Sequence, residues 1–368
     1  MVDFVQMQRF TDTLQVQVLE AMRTVGGKKI SEECWQAIIA TEICSDDAAS
    51  LTSTEASRGS GSVHQPAEWD KRLREARGWY ESAYEWRIVS YAMHANARLD
   101  AHDAGKVLFY IPAVDVPLAR LSRDEFDEMR AFPNISQSAK LPSVLPVWIG
   151  MEVILSDSVL PPKYVRGTAC TVVGIEPHPK EPPMHDRESI TTHGCVVLHY
   201  MPKCIYVRVD GSDDVFLQAA DASAAQPGNL DLKGVLAIKP QPRKWKFTPS
   251  SCKSAVQVSR TQIPLLPKKQ CTLHGVQGKT AEPGFIAHWT FPRGLSKESK
   301  WLAYYVSLSR PRSFAQLLSH GLPDRAIIEG GPPEDISKAL KELFADKIES
   351  TKLAAASARA AMRWPARS

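Results

Sequence analysis

A chain of 368 residues, 43% hydrophobic and 23% charged, is long enough to bury more than one core and is expected to divide into two domains. A formal net charge of +4 excludes a chain that is polybasic throughout. Seven scattered cysteines (34, 44, 170, 195, 204, 252 and 271), no apolar run near 18 residues and no signal-peptide pattern after Met1 point to reduced thiols and an intracellular place, in the nucleus or an organelle, away from membranes.

In chain order, residues 3–24 read as a helix, with Leu14, Val18 and Met22 on one side and Gly26-Gly27 as its stop. Ser31 is placed to cap a second helix, with Glu32 and Glu33 in its first turn and Trp35, Ile38 and Ile39 in the core. Residues 45–66, rich in Ser, Thr, Ala and Gly, read as a flexible insertion. Helical character returns over 67–84 and leads into a strand at 87–91. Short β-branched segments follow at 147–155, 169–175, 195–200 and 205–209, between Pro- and Gly-rich turns, as in a small antiparallel barrel. The charged, Pro-rich stretch 176–194 is expected to be a mobile loop. Beyond the barrel, strand and helix are expected to alternate, which predicts a mostly parallel sheet with helices on both faces. Residues 334–362 predict a last helix, with Ile336, Leu340, Phe344 and Ile348 along one side, and 359–367 a basic tail.

Charge is distributed unevenly. Between Leu232 and Ala281 stand ten Lys or Arg residues and no Asp or Glu. Such a run is either a solvated face or a track for phosphates. Within it, Arg243-Lys244-Trp245-Lys246-Phe247 interleaves bases with aromatics, as a groove for single strands would, and Trp245 reads either as a base-stacking ring or as core. His193, Cys195, His199 and Cys204 read either as metal ligands or as a buried strand pair around Met201-Pro202-Lys203. The tight ligand pairs of a zinc site are missing from this group, so no metal ligand is expected there. Gly278-Lys279-Thr280 resembles the end of a phosphate loop, but that loop requires glycine where Leu273 stands, and Gly275 is too close to replace it.

Two segments carry the chemistry: Thr272-Leu273-His274-Gly275-Val276-Gln277-Gly278-Lys279-Thr280 and Tyr305-Val306-Ser307-Leu308-Ser309-Arg310-Pro311-Arg312-Ser313. Between them lies an apolar strand at 285–289. The expected order is a glycine-rich turn, a buried strand, a polar spacer and a second strand with Arg310 at its exit. That order suits a nucleotide site, where backbone N–H groups and a cation meet transferring phosphates. The segments resemble motifs V and VI of the superfamily 1B DNA helicases, the RecD-like, 5′-to-3′ group that includes the petite-integration-frequency helicases. The family pattern T-I-H-K-S-Q-G-L-T matches Thr272, His274, Gln277, Gly278 and Thr280. The pattern Y-V-A-L-S-R-V-R-S matches Tyr305, Val306, Leu308, Ser309, Arg310, Arg312 and Ser313. Arg260-x-Gln262-x-Pro264-Leu265 resembles the family's lead-in to motif V, although Pro267 limits the following strand to an edge or delays its start.

Weaker likeness extends backwards. Gly150-Met151-x-Val153-x-Leu155, Val165-Arg166-Gly167-Thr168 and Val172-Val173-Gly174-Ile175 are similar to the stretch that opens the family's inserted barrel. Ile88-Val89-Ser90-Tyr91, with Asn96, Leu99 and His102, resembles the strand and helix before it. Met7-Gln8-Arg9-Phe10 resembles motif IV.

The resemblance implies an α/β fold: a RecA-like parallel sheet with helices on both faces, plus an inserted SH3-like antiparallel barrel. Residues 1–44 and 67–140 would begin the second RecA-like domain, 45–66 interrupt it, and 145–230 form the barrel. Residues 231–330 would complete the domain with motifs V and VI, and 331–368 add a helix and basic tail. It further implies the C-terminal half of an ATP-dependent 5′-to-3′ DNA helicase. In that half Arg310 is the arginine finger and Arg9 a second one. Gln277 and Gly278 couple the γ-phosphate region to the strand, and Lys279 is either a phosphate contact or a neutral replacement. Single-stranded DNA would meet His274, Thr280, Arg243, Lys244, Trp245 and Lys246. The phosphate loop and Mg²⁺-binding acidic motif belong to a first RecA-like domain, encoded upstream or supplied in trans. ATP and Mg²⁺ are expected only with that domain. The alternative is a non-catalytic single-stranded nucleic-acid-binding module or a transposon-derived relic.

Overall fold

The computed structural model describes residues 10–43, 66–183, 194–216, 232–252, 254–339 and 342. Arg9, nearly all of the expected 45–66 insertion, the later part of the 176–194 loop with His193, and most of the last helix with its basic tail lie outside them.

Helix α1 (Thr13–Arg23) begins later than expected because Asp12 caps it, its Oδ1 accepting from the amides of Leu14 (2.9 Å) and Gln15 (3.4 Å). Helix α2 (Glu32–Ile39) starts at Ser31, whose Oγ accepts from the Cys34 amide at 3.2 Å. It buries Cys34 and Ile38, while Trp35 and Ile39 stay half-buried. Helix α3 (Pro66–Glu75) stops well short of residue 84, and strand β1 (Tyr80–Ala83) follows. The strand expected at 87–91 is instead the start of the long helix α4 (Trp86–Asp103). The reason is visible in its buried face: Val89, Ala92, Met93, Ala97 and Ala101 recur at helical spacing, and the brief β-branched run Ile88-Val89 does not outweigh it.

The chain continues through β2 (Leu108–Pro112), β3 (Val114–Pro117), α5 (Arg123–Arg130), β4 (Val144–Val147), β5 (Glu152–Leu155), β6 (Ala169–Glu176), β7 (Cys195–Val197) and β8 (Cys204–Val209). A turn with Gly150 at φ +110° splits the expected 147–155 strand in two. Five strands then follow in succession: β9 (Val235–Ile238), β10 (Gln241–Phe247), β11 (Val256–Gln262), β12 (Leu265–Pro267) and β13 (Gln270–Thr272). Only afterwards do strand and helix alternate, through β14 (Phe285–His288), α6 (Lys297–Leu308), β15 (Leu317–His320) and α7 (Arg325–Glu329). Residues 334–339 are helical, at the expected start of the last helix.

The architecture is mixed α/β. A four-stranded parallel sheet runs β13-β1-β14-β15. One face, with Tyr80, Phe285, Ala287 and Leu317, packs on α1, α2, α6 and α7 through Val18, Met22, Ile38, Trp301 and Ile328. The other face, with Ile286 and Leu318, meets Leu73 of α3 and Ala76 just after it, while α4 packs along β1 and β13. Residues 145–230, expected to form a barrel, supply β5, β6 and β8 to a five-stranded antiparallel sheet, β12-β5-β6-β8-β9, whose two edge strands β9 and β12 come from beyond that segment. It shares one core with the three-stranded sheet β4-β2-β7, through Val153, Val172, Val207, Ile111 and Leu145. Strands β7 and β8 do not pair as a hairpin: β7 runs parallel to β2, and β8 pairs with β6 and β9. A second three-stranded sheet, β10-β11-β3, packs on α5. Pro267 does occupy an edge, at the end of β12, so its missing N–H interrupts no central ladder. Among the described residues no helix is long and apolar enough to cross a membrane.

Candidate nucleotide and nucleic-acid site

The segment expected to be a strand before Arg310 is α6. Ser296 caps it by accepting from the Ser299 amide at 3.2 Å, and Trp301, Ala303, Tyr304 and Leu308 form its buried face. The strand-like pair Tyr305-Val306, one aromatic and one β-branched, misleads, because the whole run from Lys297 keeps helical spacing. Arg310 therefore leaves the end of a helix, on the crossover that feeds β15.

Its side chain turns inward and is 9% exposed. Nε donates to the Val306 carbonyl (3.0 Å), and Nη1 to the carbonyls of Lys279 (2.9 Å) and Val276 (3.4 Å). Nη2 donates to Ser309 Oγ at 2.7 Å, and the Ala281 amide donates back to the Arg310 carbonyl at 3.2 Å. The two motif-like segments thus meet at this guanidinium, above the core that Leu273, Val276, Val306 and Leu308 share.

The glycine-rich turn runs from the end of β13 towards β14. A short 3₁₀ turn, Leu273–Val276, opens it, and Gly278 takes φ +80°, which favours glycine. Its amides are largely committed: Gln277 donates to the His274 carbonyl (3.3 Å) and Lys279 to the Val276 carbonyl (3.0 Å). Together with the Ala281 amide these hold the turn rather than cradle an anion. The side chains of Gln277 and His274 are exposed, and those of Lys279 and Thr280 half-buried. Just before the turn, burial pushes the Cys271 thiol up, so it is held as a neutral core group beside Ser82.

Two residues that sequence reasoning passed over fasten Arg310's segment. Gln15 Nε2 donates to the carbonyls of Leu308 (2.7 Å) and Pro311 (3.1 Å), and Asp12 Oδ2 accepts from the Phe314 amide at 3.0 Å. Asp12 had a readable signal, a capping residue ahead of an apolar period. Gln15 had none, since its partners are nearly the whole chain away. Two more missed residues continue from His274: the Tyr84 ring meets it edge-on at 5.7 Å, and Phe291 meets Tyr84 in turn at 5.6 Å. All three lie just past the carboxyl ends of β13, β1 and β14.

The basic strand is a separate place. Trp245 is 5% exposed, in a cluster with Met129, Phe247 and Val258, with the Phe132 ring at 5.2 Å and the Arg260 guanidinium 4.9 Å above it. Strand alternation turns Trp245 inward, while Lys244 and Lys246 point out. Arg243 is tied to Asp157 and to the Ala139 carbonyl. Arg260 and Gln262 of the lead-in are fully buried. Arg260 grips Asp115 with two bonds, of 2.7 and 2.9 Å, and Gln262 Nε2 donates to the Ile111 carbonyl at 2.9 Å. Of the group weighed as metal ligands, Cys195 and Cys204 belong to different sheets. Among the described residues, donor atoms converge as an ion's ligands would at Glu81, His288 and His320, on the other face of the parallel sheet.

No protein-family model matches the chain, and no curated protein matches it. Among solved structures it is similar to the Pif1 helicase from Candida albicans, at 15% identity and a TM-score of 0.44, covering 90% of this chain and 58% of that one. It is also similar to Bacteroides Pif1 bound to ssDNA, at 13% identity and a TM-score of 0.46, covering 93% of this chain and 56% of that one. A third, the Bacteroides enzyme in complex with ADP-AlF3 and ssDNA, gives 13% identity and a TM-score of 0.45, with 92% and 55% covered. The chain spans a little over half the length of each.

Proposed function

We propose that this chain is the second motor region of a superfamily 1B DNA helicase. In this reading the parallel sheet with its two layers of helices is RecA-like, and the five-stranded antiparallel sheet corresponds to the family's inserted barrel. ATP and Mg²⁺ would bind only where a first RecA-like domain completes the cleft. Single-stranded DNA would cross the carboxyl ends of β13, β1 and β14, on His274, Thr280, Tyr84 and Phe291, with Lys244 and Lys246 as outlying phosphate contacts.

The observation that carries the reading is the contact of Arg310 with the Val276 and Lys279 carbonyls, which joins the two motif-like segments in one place. A guanidinium resting on the turn that couples nucleotide to strand is positioned to swing onto a transferring phosphate. Its present carbonyl partners would be exchanged for phosphate oxygens, which bind it more strongly. Arg9 would act as a second finger. Gln277 and Gly278 would transmit the change, and Lys279 would add a phosphate contact.

The test supplies the first motor domain of such a helicase in trans and measures strand-stimulated ATP hydrolysis. Arg310→Ala should lower that rate by about 10³-fold or more, as loss of an arginine finger does, while leaving single-strand affinity nearly unchanged. Unchanged hydrolysis in the variant overturns the catalytic role.

The inward pose of Arg310 favours a second reading, a strand-binding module without chemistry in which Arg310 only braces the turn. In that case no hydrolysis appears with any supplied domain, and Tyr84→Ala still weakens strand binding.

A further inference from the structure

On the α3/α4 face of the parallel sheet, three side chains from three neighbouring strands converge. Glu81 comes from β1, His288 from β14 and His320 from β15. The register places His288 directly beside His320, with Ala83 next in the same row. Glu81 sits two residues before Ala83 and so shares its face. Alanine in the histidine row leaves the space into which the carboxylate reaches along the strand.

We propose that Glu81, His288 and His320 form a binding site for one Zn²⁺-class divalent ion, independent of the nucleotide site. Their donor atoms all lie within 4.8 Å of one another, with Glu81 Oε1 and His288 Nε2 at 2.7 Å. The two imidazoles are stacked at 4.1 Å with 10° between their planes. An ion with ligand bonds of about 2.0–2.1 Å needs tetrahedral donors roughly 3.3 Å apart. Reaching that arrangement takes a small opening of the Glu81–His288 pair and a tilt of the two rings towards each other.

The second layer needed to hold such a carboxylate is present, because Asn96 Nδ2 of α4 donates to Glu81 Oε2 at 2.6 Å and leaves Oε1 for the site. Among the described residues no hydrogen-bond partner reaches the His320 ring, so a donor stands ready without an assigned use. The three residues also line a cavity of about 440 Å³, walled by Arg77, Ile88, Tyr91, Asn96 and Leu99. Three protein ligands facing an open space leave a coordination position for water, the pattern of a non-structural zinc site. Two imidazoles and one carboxylate suit Zn²⁺, Co²⁺ or Ni²⁺ and not Mg²⁺, which takes oxygen ligands and keeps its water. The magnesium of a nucleotide complex would therefore not compete for this place.

The test uses the untagged full chain, stripped with chelator. Co²⁺ titration should give a saturable one-to-one visible absorption of tetrahedral or five-coordinate intensity, displaced by Zn²⁺ and untouched by millimolar Mg²⁺. His288→Gln and His320→Gln should each weaken Zn²⁺ binding by about 100-fold, and Asn96→Ala by on the order of tenfold. Should a variant fold poorly, thermal melting of the unaltered chain reads the same site. Zn²⁺ should raise its Tm and EDTA should reverse the rise. No saturable Co²⁺ signal, an unmoved Tm, or full Zn²⁺ affinity in folded His288→Gln/His320→Gln protein overturns the proposal.

Discussion

Two buried arginines, Arg260 and Arg310, are held in different ways. Arg260, on the central strand of the β10-β11-β3 sheet, is fully buried and clamps the Asp115 carboxylate with two bonds, while reaching the Leu141 and Met129 carbonyls. Arg310, at the end of α6, touches the carbonyls of its own helix and of a glycine-containing turn. The first cannot leave without stranding a charge in the core. The second is held by neutral dipoles, so its loss strands carbonyls and no charge. Resemblance to one family marks both residues, yet the packing pairs the first with a buried carboxylate and the second with carbonyls and one hydroxyl.

Denaturant unfolding can break or sharpen that contrast. The largest effect should come from Arg260→Ala, a loss of about 3–5 kcal/mol, because Asp115 is left buried and unpaired. Replacing both partners by apolar residues, Arg260→Met with Asp115→Leu, should recover much of it. Arg310→Ala should cost less, about 1–3 kcal/mol, the penalty for leaving the Val276 and Lys279 carbonyls without their donor. Equal losses for the two arginines would erase the distinction. Gln15→Leu should cost about 1 kcal/mol, since it removes two bonds to Arg310's segment but also a buried Gln15 Oε1 that has no partner. The smallest change belongs to Lys244→Ala with Lys246→Ala, within about 0.5 kcal/mol. If those lysines touch phosphates, the salt dependence of single-strand binding should shallow by about 0.7 log units for each phosphate no longer neutralised.

Local signals in the sequence were legible where a few adjacent residues decide the outcome. The Ser31 cap, the strand ending in Glu176, the strand at Cys204–Val209 and the edge position of Pro267 all follow from neighbours. Two helices read as strands for a shared reason. In α4 the buried face is largely alanine, and in α6 the period is spread over Trp301, Tyr304 and Leu308, so short pairs with strand propensity, Ile88-Val89 and Tyr305-Val306, dominate the local pattern. Of the candidate site, the two motif-like segments could be read, and Arg310 does bring them together. Gln15, Tyr84 and the Glu81–His288–His320 group could not be read, because each depends on strands or helices distant in sequence lying side by side. Trp245 was ambiguous for a different reason: alternation fixes which residues share a face, but only packing decides which face is inside.

The two-way tie at Arg310 has a consequence for motion. Its carbonyl accepts from the Ala281 amide while its guanidinium donates to the Lys279 carbonyl, so turn and helix end are latched at both backbone and side chain. Neither can open alone. Hydrogen exchange at the Gln277, Lys279 and Ala281 amides should therefore proceed at a common rate, as one cooperative unit.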